Sequence, residues 1–120
     1  MKKQLIIGGS LEDSARRVIE AVHRAERGEM VEPEDTITFV SWPAFMSVMT
    51  GKRSELLQHL HLHPAPSIRA LARELGRDFK RVHEDVTALR EIGLIERTGG
   101  LLRADYEQIQ STFHMGASAA

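Results

Sequence analysis

The chain has 120 residues, 42% hydrophobic and 28% charged, with a net charge of −1 and no cysteine. This length supports one domain, or one domain with a small appendage, around a single modest core. The composition excludes disulfides, thiolate metal sites and a Cys nucleophile, and near-neutral charge argues against a general nucleic-acid coater.

No apolar run approaches the roughly 20 residues of a bilayer span, and Leu5-Ile6-Ile7 is too short for a secretory leader, so a cytoplasmic location is expected. Residues 2–7 form a strand candidate ended by Gly8-Gly9. Ser10, with Asp13 three positions on, opens a helix in the manner of a capping box. Leu11, Ala15, Val18, Ile19, Val22 and Ala25 fall on one face of it, Arg16, Arg17, Glu20, Arg24 and Arg27 fall mainly outside that face, and Gly28 ends it. The acidic loop from Glu29 to Asp35 leads into a second strand, Thr36 to Ser41, rich in β-branched residues. Two strands and one helix cannot close a core alone. The β-α-β segment is therefore expected to dock on the rest of the chain, on a second copy, or on both, and a homodimer is the expected result.

Trp42 to Met49 reads as a short helix, with Trp42, Phe45, Met46 and Met49 as core or interface side chains. After the Thr50-Gly51 break, Lys52 to Leu62 forms a helix with Leu56, Leu57 and Leu60 inward, ended by Pro64. His59, His61 and His63 gather at its end. Residues 59 and 63 share a helix face, which suits Zn, Cu or Ni. Against a metal stand the lack of Cys or carboxylate in the cluster and the favourable place of His at a helix C-terminus. His23, His83 and His114 are isolated, with surface or groove-edge positions expected.

Ser67, following Pro64 and Pro66, N-caps the next helix. Leu71, Ala72 and Leu75 line its inner side, and Gly76 supplies the left-handed residue that stops it. Asp78 caps another helix, in which Phe79, Val82, Val86 and Leu89 form one buried stripe and Gly93 ends the run. Leu94–Thr98 and Leu101–Tyr106 are strand-like runs around Gly99-Gly100, a pair that favours a primed hairpin turn. From Glu107 onward the chain is polar and then rich in small residues, so 107–120 is expected to be a frayed tail, with Ile109 and Phe113 extending a short helix at most.

Residues 67–95 thus follow the plan of a winged helix-turn-helix: two short helices across a glycine turn, then a strand. With Val82 at zero and about 100° per residue, the side opposite the buried stripe carries Arg77, Lys80, Arg81, Glu84, Thr87 and Glu91. In helix-turn-helix complexes the N-terminal end of the second helix meets base edges. The planar fork of Arg81 suits guanine O6 and N7, Lys80 a base acceptor or a phosphate, and Thr87 the backbone or a thymine methyl. Any one such charge is ordinarily a solvated face. Arg77, Lys80 and Arg81 together read as a DNA-facing cluster, tempered by Glu84 and Glu91, which reject wrong bases. Residues 42–106 hold ten Lys/Arg against eight Asp/Glu, whereas residues 1–41 hold six against eight.

The stretch SIRALARELGRDFKRVHEDVTALREIGLIER, preceded by TGKRSELLQHL, resembles the winged helix-turn-helix regulators of the MarR/ArsR-like superfamily. More narrowly it resembles a group of small prokaryotic DNA-binding proteins in which a β-α-β segment precedes the winged domain, over roughly residues 1–106. The resemblance implies an α+β fold: an N-terminal β-α-β dimerisation or docking segment (1–41), a winged helix-turn-helix DNA-binding domain (42–106) and a tail (107–120). It implies a sequence-specific transcriptional regulator, a repressor or an antitoxin that silences its own operon. Its partners would be double-stranded operator DNA, a second copy of the chain and a cognate toxin, with no membrane and no cofactor. The resemblance implies DNA contact from Arg77, Lys80, Arg81 and Glu84 and backbone contact from the wing near Arg97 to Arg103, although the usual wing is more basic than Thr98-Gly99-Gly100; Arg69, Asp78 and Thr87 complete the expected DNA-binding set. Long terminal helices of the MarR dimer are missing, so dimerisation falls to residues 1–50. Two alternatives stay open: a protein-interaction module that neutralises a partner such as a toxin, with DNA binding secondary, and a metal-responsive regulator using His59 and His63. No G-x-S-x-G, Walker or H-E-x-x-H motif occurs, and Gly8-Gly9-Ser10 reads more simply as a tight turn with an N-cap than as an anion site, so no enzyme is expected.

Overall fold

A computed structural model describes residues 2–8, 11–29, 34–113 and 115. It is a mixed α and β structure with elements β1 (Lys2–Ile7), α1 (Leu11–Glu26), β2 (Glu34–Phe39), α2 (Trp42–Val48), α3 (Gly51–Leu62), α4 (Ile68–Leu75), α5 (Phe79–Glu91), β3 (Glu96–Thr98), β4 (Leu101–Arg103) and β5 (Gln108–Phe113). Two compact units share these elements: Met1–Phe45 with Glu107–Ala120, and Met46–Tyr106. Among the described residues no helix is long and apolar enough to cross a membrane.

In the first unit β1 lies between β2 and β5, and both pairings are parallel. The connection from β1 to β2 runs through α1, since a parallel pair needs a crossover rather than a tight turn. Leu5, Ile6 and Ile7 are buried, the continuous apolar run of a strand covered on both faces. The register aligns Leu5 with Ile37 and Ser111, and Ile7 with Phe39 and Phe113, so these side chains share one face of the pleat. Helix α2 adds to that face. Phe45 meets Phe39 edge-on with ring centroids 5.3 Å apart, and Trp42 lies 4.8 Å from Phe113. Lys3, buried in the same row, donates to its register neighbour Asp35 at 2.5 Å, which offsets the cost of removing its charge from water.

Strand β5 corrects the expectation of a frayed tail. Gln108–Phe113 pairs with β1 along its full length and supplies the third strand that the β-α-β segment lacked. The domain boundary moves accordingly, because Trp42 and Phe45 belong with the sheet and the second unit begins at Met46. On α1, Val18, Ile19 and Val22 of the expected apolar face are exposed by 63%, 53% and 49%. Among the side chains described on the helix, Arg17 and Ala21 are half-buried. The expected cap of Ser10 with the Asp13 side chain, the loop over 30–33, His114 and residues 116–120 lie outside the described residues.

The second unit is built around leucines and valines from three helices. Leu56, Leu57 and Leu60 of α3, Leu71 and Ala72 of α4, and Val82, Val86 and Leu89 of α5 are all buried, together with Leu94, Ile95 and Leu102. Thr50 Oγ1 accepts from Arg53 N and starts α3. Ala65, between α3 and α4, exchanges both backbone hydrogen bonds with Leu102 at 3.1 and 2.7 Å, so the β3–β4 hairpin is tied to that connection. Register pairs Thr98 with Leu101, leaving Gly99 and Gly100 as a two-residue turn with φ of 60° and 77°, the primed geometry that favours glycine.

Tyr106 closes the unit by donating its hydroxyl to Leu94 O at 3.0 Å. Burial pushes its phenol from 10.0 up to about 12. An unfolded chain ionises this group near its ordinary value while the folded chain still holds the proton. Its contribution to stability is therefore complete below pH 10 and is lost as pH rises towards about 12. Tyr106→Phe should cost about 0.5–1.5 kcal/mol at neutral pH and should flatten the alkaline fall in stability. Urea unfolding across neutral and alkaline pH measures both, and an unchanged alkaline slope would assign that slope to other groups.

Candidate functional site

Helices α4 and α5 are set by local chemistry at each end. Ser67 Oγ accepts from Ala70 N at 3.0 Å, and Gly76 ends α4 at φ 64°, ψ 35°, a left-handed conformation that costs glycine no Cβ clash. Asp78 then caps α5, its Oδ2 accepting from Arg81 N at 3.2 Å. With Val82, Val86 and Leu89 fully buried, the 3.6-residue period turns the opposite side of α5 outward. Lys80, Arg81, Glu84, Thr87 and Glu91 are all exposed there.

Phe79 departs from the expected stripe. It is 39% exposed because it opens the helix, beyond the reach of the side chains that cover Val82. Arg69 of α4 lies over its ring, with Cζ 4.5 Å from the centroid, and the His83 ring sits 5.8 Å away. A cation over an aromatic face is attracted by the ring quadrupole. Arg69, Phe79 and His83 thus form a mixed basic and aromatic surface next to Lys80.

Arg77 takes a different course from Lys80 and Arg81. It precedes the capping residue, so the helical period does not govern it. Its Nη2 donates to Asp85 Oδ2 at 2.7 Å, while Arg53 Nε donates to Asp85 Oδ1 at 2.9 Å. The side chains of Arg77, Asp85 and Arg53 are 19%, 12% and 17% exposed. Arg53 also donates through Nη1 to Val48 O at 2.8 Å. One carboxylate therefore joins the start of α3, the turn before α5 and the middle of α5. Two guanidiniums against one carboxylate leave this corner with an excess of positive charge, and Arg77 Nη1 is buried without a hydrogen-bond partner among the described residues. Reading the outer face alone misses Asp85. The signal is present in the sequence, because a carboxylate three residues after Val82 falls inside the buried sector, where a charge requires a partner.

On the hairpin, Arg97 Nη1 donates to Gly100 O at 3.2 Å and to Pro66 O at 3.5 Å, and Arg103 Nε donates to Thr98 O at 3.4 Å. Both guanidiniums are thereby held near the turn. His59 and His63 come together with ring centroids 5.0 Å apart, and His59 Nε2 is 3.8 Å from Glu74 Oε2. His61 Nδ1 is engaged with Ala104 O at 2.8 Å. Among the described residues no group of three or more His, Asp or Glu side chains is arranged to hold a metal ion.

The matched stretch in a comparison with family models is residues 48–111, and the model is that of the HVO_A0114 family. Comparison with curated proteins and with solved structures found no match. Residues 48–111 take in α3 to β4, with every side chain of the surface just described, and amount to just over half of the chain. The chain belongs to the HVO_A0114 family.

Proposed function

We propose that the chain is a sequence-specific DNA-binding transcriptional regulator of the winged helix-turn-helix type, with α5 as the helix that enters the major groove. The observation that carries this reading is the exposed Lys80 and Arg81 beside Phe79 at the N-terminal end of α5, on a helix whose opposite side is fully buried. The order of α3, the Ala65 bridge, α4, the Gly76 turn, α5 and the β3–β4 hairpin supports it, since winged helices are arranged in this way. In this reading Lys80 and Arg81 face base acceptors, Thr87 and Arg69 the backbone, and Glu84 rejects mismatched bases. Asp78 serves through its cap. Arg77 supports α5 from within rather than touching DNA, and Arg97 and Arg103 offer charge to phosphates at the hairpin turn. A repressor, or an antitoxin that silences its own operon, fits a near-neutral protein that relies on base contacts more than on bulk charge.

Selection of bound duplexes from a random fragment library tests the reading. One preferred sequence is expected, with affinity falling steeply as salt rises. Recovery of no preferred duplex would remove it. Phe79 adds a finer expectation, because an apolar ring at this end suits a thymine methyl. Changing the contacted thymine to uracil removes one methyl, worth about 0.8 kcal/mol or about 4-fold in affinity. The wild type should show that loss and Phe79→Ala should not. Equal sensitivity in both would mean that Phe79 does not touch the methyl.

A further inference from the structure

Among the exposed side chains of α5, His83 has no part in the base and backbone contacts proposed so far. Its ring lies 5.8 Å from that of Phe79, one turn earlier, and the Phe79 ring carries the Arg69 guanidinium of α4 at 4.5 Å. With Val82 at zero, Lys80 and Glu84 fall at roughly 160° and 200°, in the middle of the outward side, whereas His83 falls at roughly 100°, on its flank. The major groove is about as wide as a helix with its side chains. The middle of the outward side therefore meets the floor of base edges, and a flank meets a phosphate wall.

We propose that His83 binds a DNA phosphate as the imidazolium, so that binding of the duplex takes up a proton and weakens as pH rises. The inference rests on the DNA-binding reading and adds regulation by pH to the same surface. Imidazole is the side chain that gains or loses its charge between about pH 5 and 8, and a phosphate within reach favours the charged form. The neighbouring charges mark this flank as a phosphate-facing one. On α5, Lys80 lies one turn before His83, and Arg90, also exposed, falls at roughly 80° on the same flank two turns on. Glu84 is turned about 100° away, and Asp85 is held in the buried sector by Arg53 and Arg77. From α4, Arg69 reaches the flank over Phe79, Arg73 is exposed one turn further along, and Glu74 is directed to His59 of α3. Basic groups therefore lie on either side of His83 along the helix, as a row that follows one phosphate wall requires.

Mobility shifts of the selected duplex at pH 6 and pH 8, each at two salt concentrations, test this. Wild-type affinity should fall about 10-fold from pH 6 to pH 8, the worth of one charge-assisted hydrogen bond. The salt slope should be steeper by about one at pH 6, because one more phosphate is neutralised. His83→Gln, which cannot take the charge, should bind equally at both pH values with one slope. His83→Lys, charged throughout, should also lose the pH dependence but keep the steeper slope at both, an outcome that a merely structural ring would not give. The position is exposed, so melting curves of both variants should match the wild type. A pH dependence that survives in His83→Gln would overturn the proposal and assign the proton to another group. A wild-type slope that is the same at both pH values would overturn the phosphate contact. Binding of one preferred duplex without pH dependence would overturn this inference alone, whereas binding of no duplex at either pH would overturn the DNA-binding reading and this inference with it.

Discussion

Lys80→Ala/Arg81→Ala should bind the selected duplex about 30-fold more weakly or worse. Removing one side chain that reads a base costs about 1–3 kcal/mol, and two independent losses multiply. Both residues are exposed, so the fold should be unaffected, and a melting curve matching the wild type would separate weakened DNA recognition from a damaged fold. The slope of affinity against salt should also fall by about one for each phosphate no longer neutralised. Arg77→Ala offers the contrast. Its guanidinium is committed to Asp85 at 2.7 Å, so that variant should lose stability as well as affinity. Mobility shifts at two salt concentrations, read beside denaturation curves, measure all of these. Unchanged binding in the double variant would move the reading surface away from the start of α5.

Asp85→Ala should be the most damaging single substitution in the second unit. It leaves Arg53 and Arg77, both largely buried, facing each other without a counter-charge. Breaking a buried ion pair from one side costs about 3–5 kcal/mol, a large part of the roughly 5–15 kcal/mol that holds a domain together. Arg53→Met alone should cost less, because it leaves Arg77 and Asp85 as a neutral pair. Arg53→Met/Asp85→Leu/Arg77→Met should recover most of the loss, since well-packed apolar groups often replace a buried ionic cluster without penalty. Chemical denaturation of the three variants provides the ranking. A loss of under about 1 kcal/mol in Asp85→Ala, the range of an exposed ion pair, would mean that water reaches the cluster and that it does not anchor α5. The arrangement matters to the proposed function because α5 has to present Lys80 and Arg81 at a fixed angle, and Asp85 ties it to α3 and to the turn from one point.

Much of the second unit is legible residue by residue. Ser67 and Asp78 act as caps, Gly76 as the left-handed stop and Gly99-Gly100 as the primed turn, each as its side chain or its lack of one dictates. The buried set of Leu56, Leu57, Leu60, Leu71, Ala72, Val82, Val86 and Leu89 follows from helical period alone. Arg77 escapes that logic because it lies outside the helix, where the period no longer applies. Phe79 escapes it because an apolar residue at the end of a helix can sit on the buried side of the wheel and still lie outside the core, here with the Arg69 guanidinium over its ring.

Every feature that the sequence determines by itself depends on neighbours within about one helical turn, the range over which capping, turn geometry and amphipathic period operate. The features that only the tertiary structure decides depend on residues far apart in the chain. Gln108–Phe113 is a strand because β1, at the other end of the chain, offers it an unpaired edge, and Ile109, Thr112 and Phe113 among two glutamines and a serine suit a strand without naming its partner. Asp85 is an anchor because Arg53 lies 32 residues away and yet within 2.9 Å. Side-chain period can tell which face of α1 is apolar, but not what covers it, because hydrophobic burial is non-directional and accepts any surface of suitable shape.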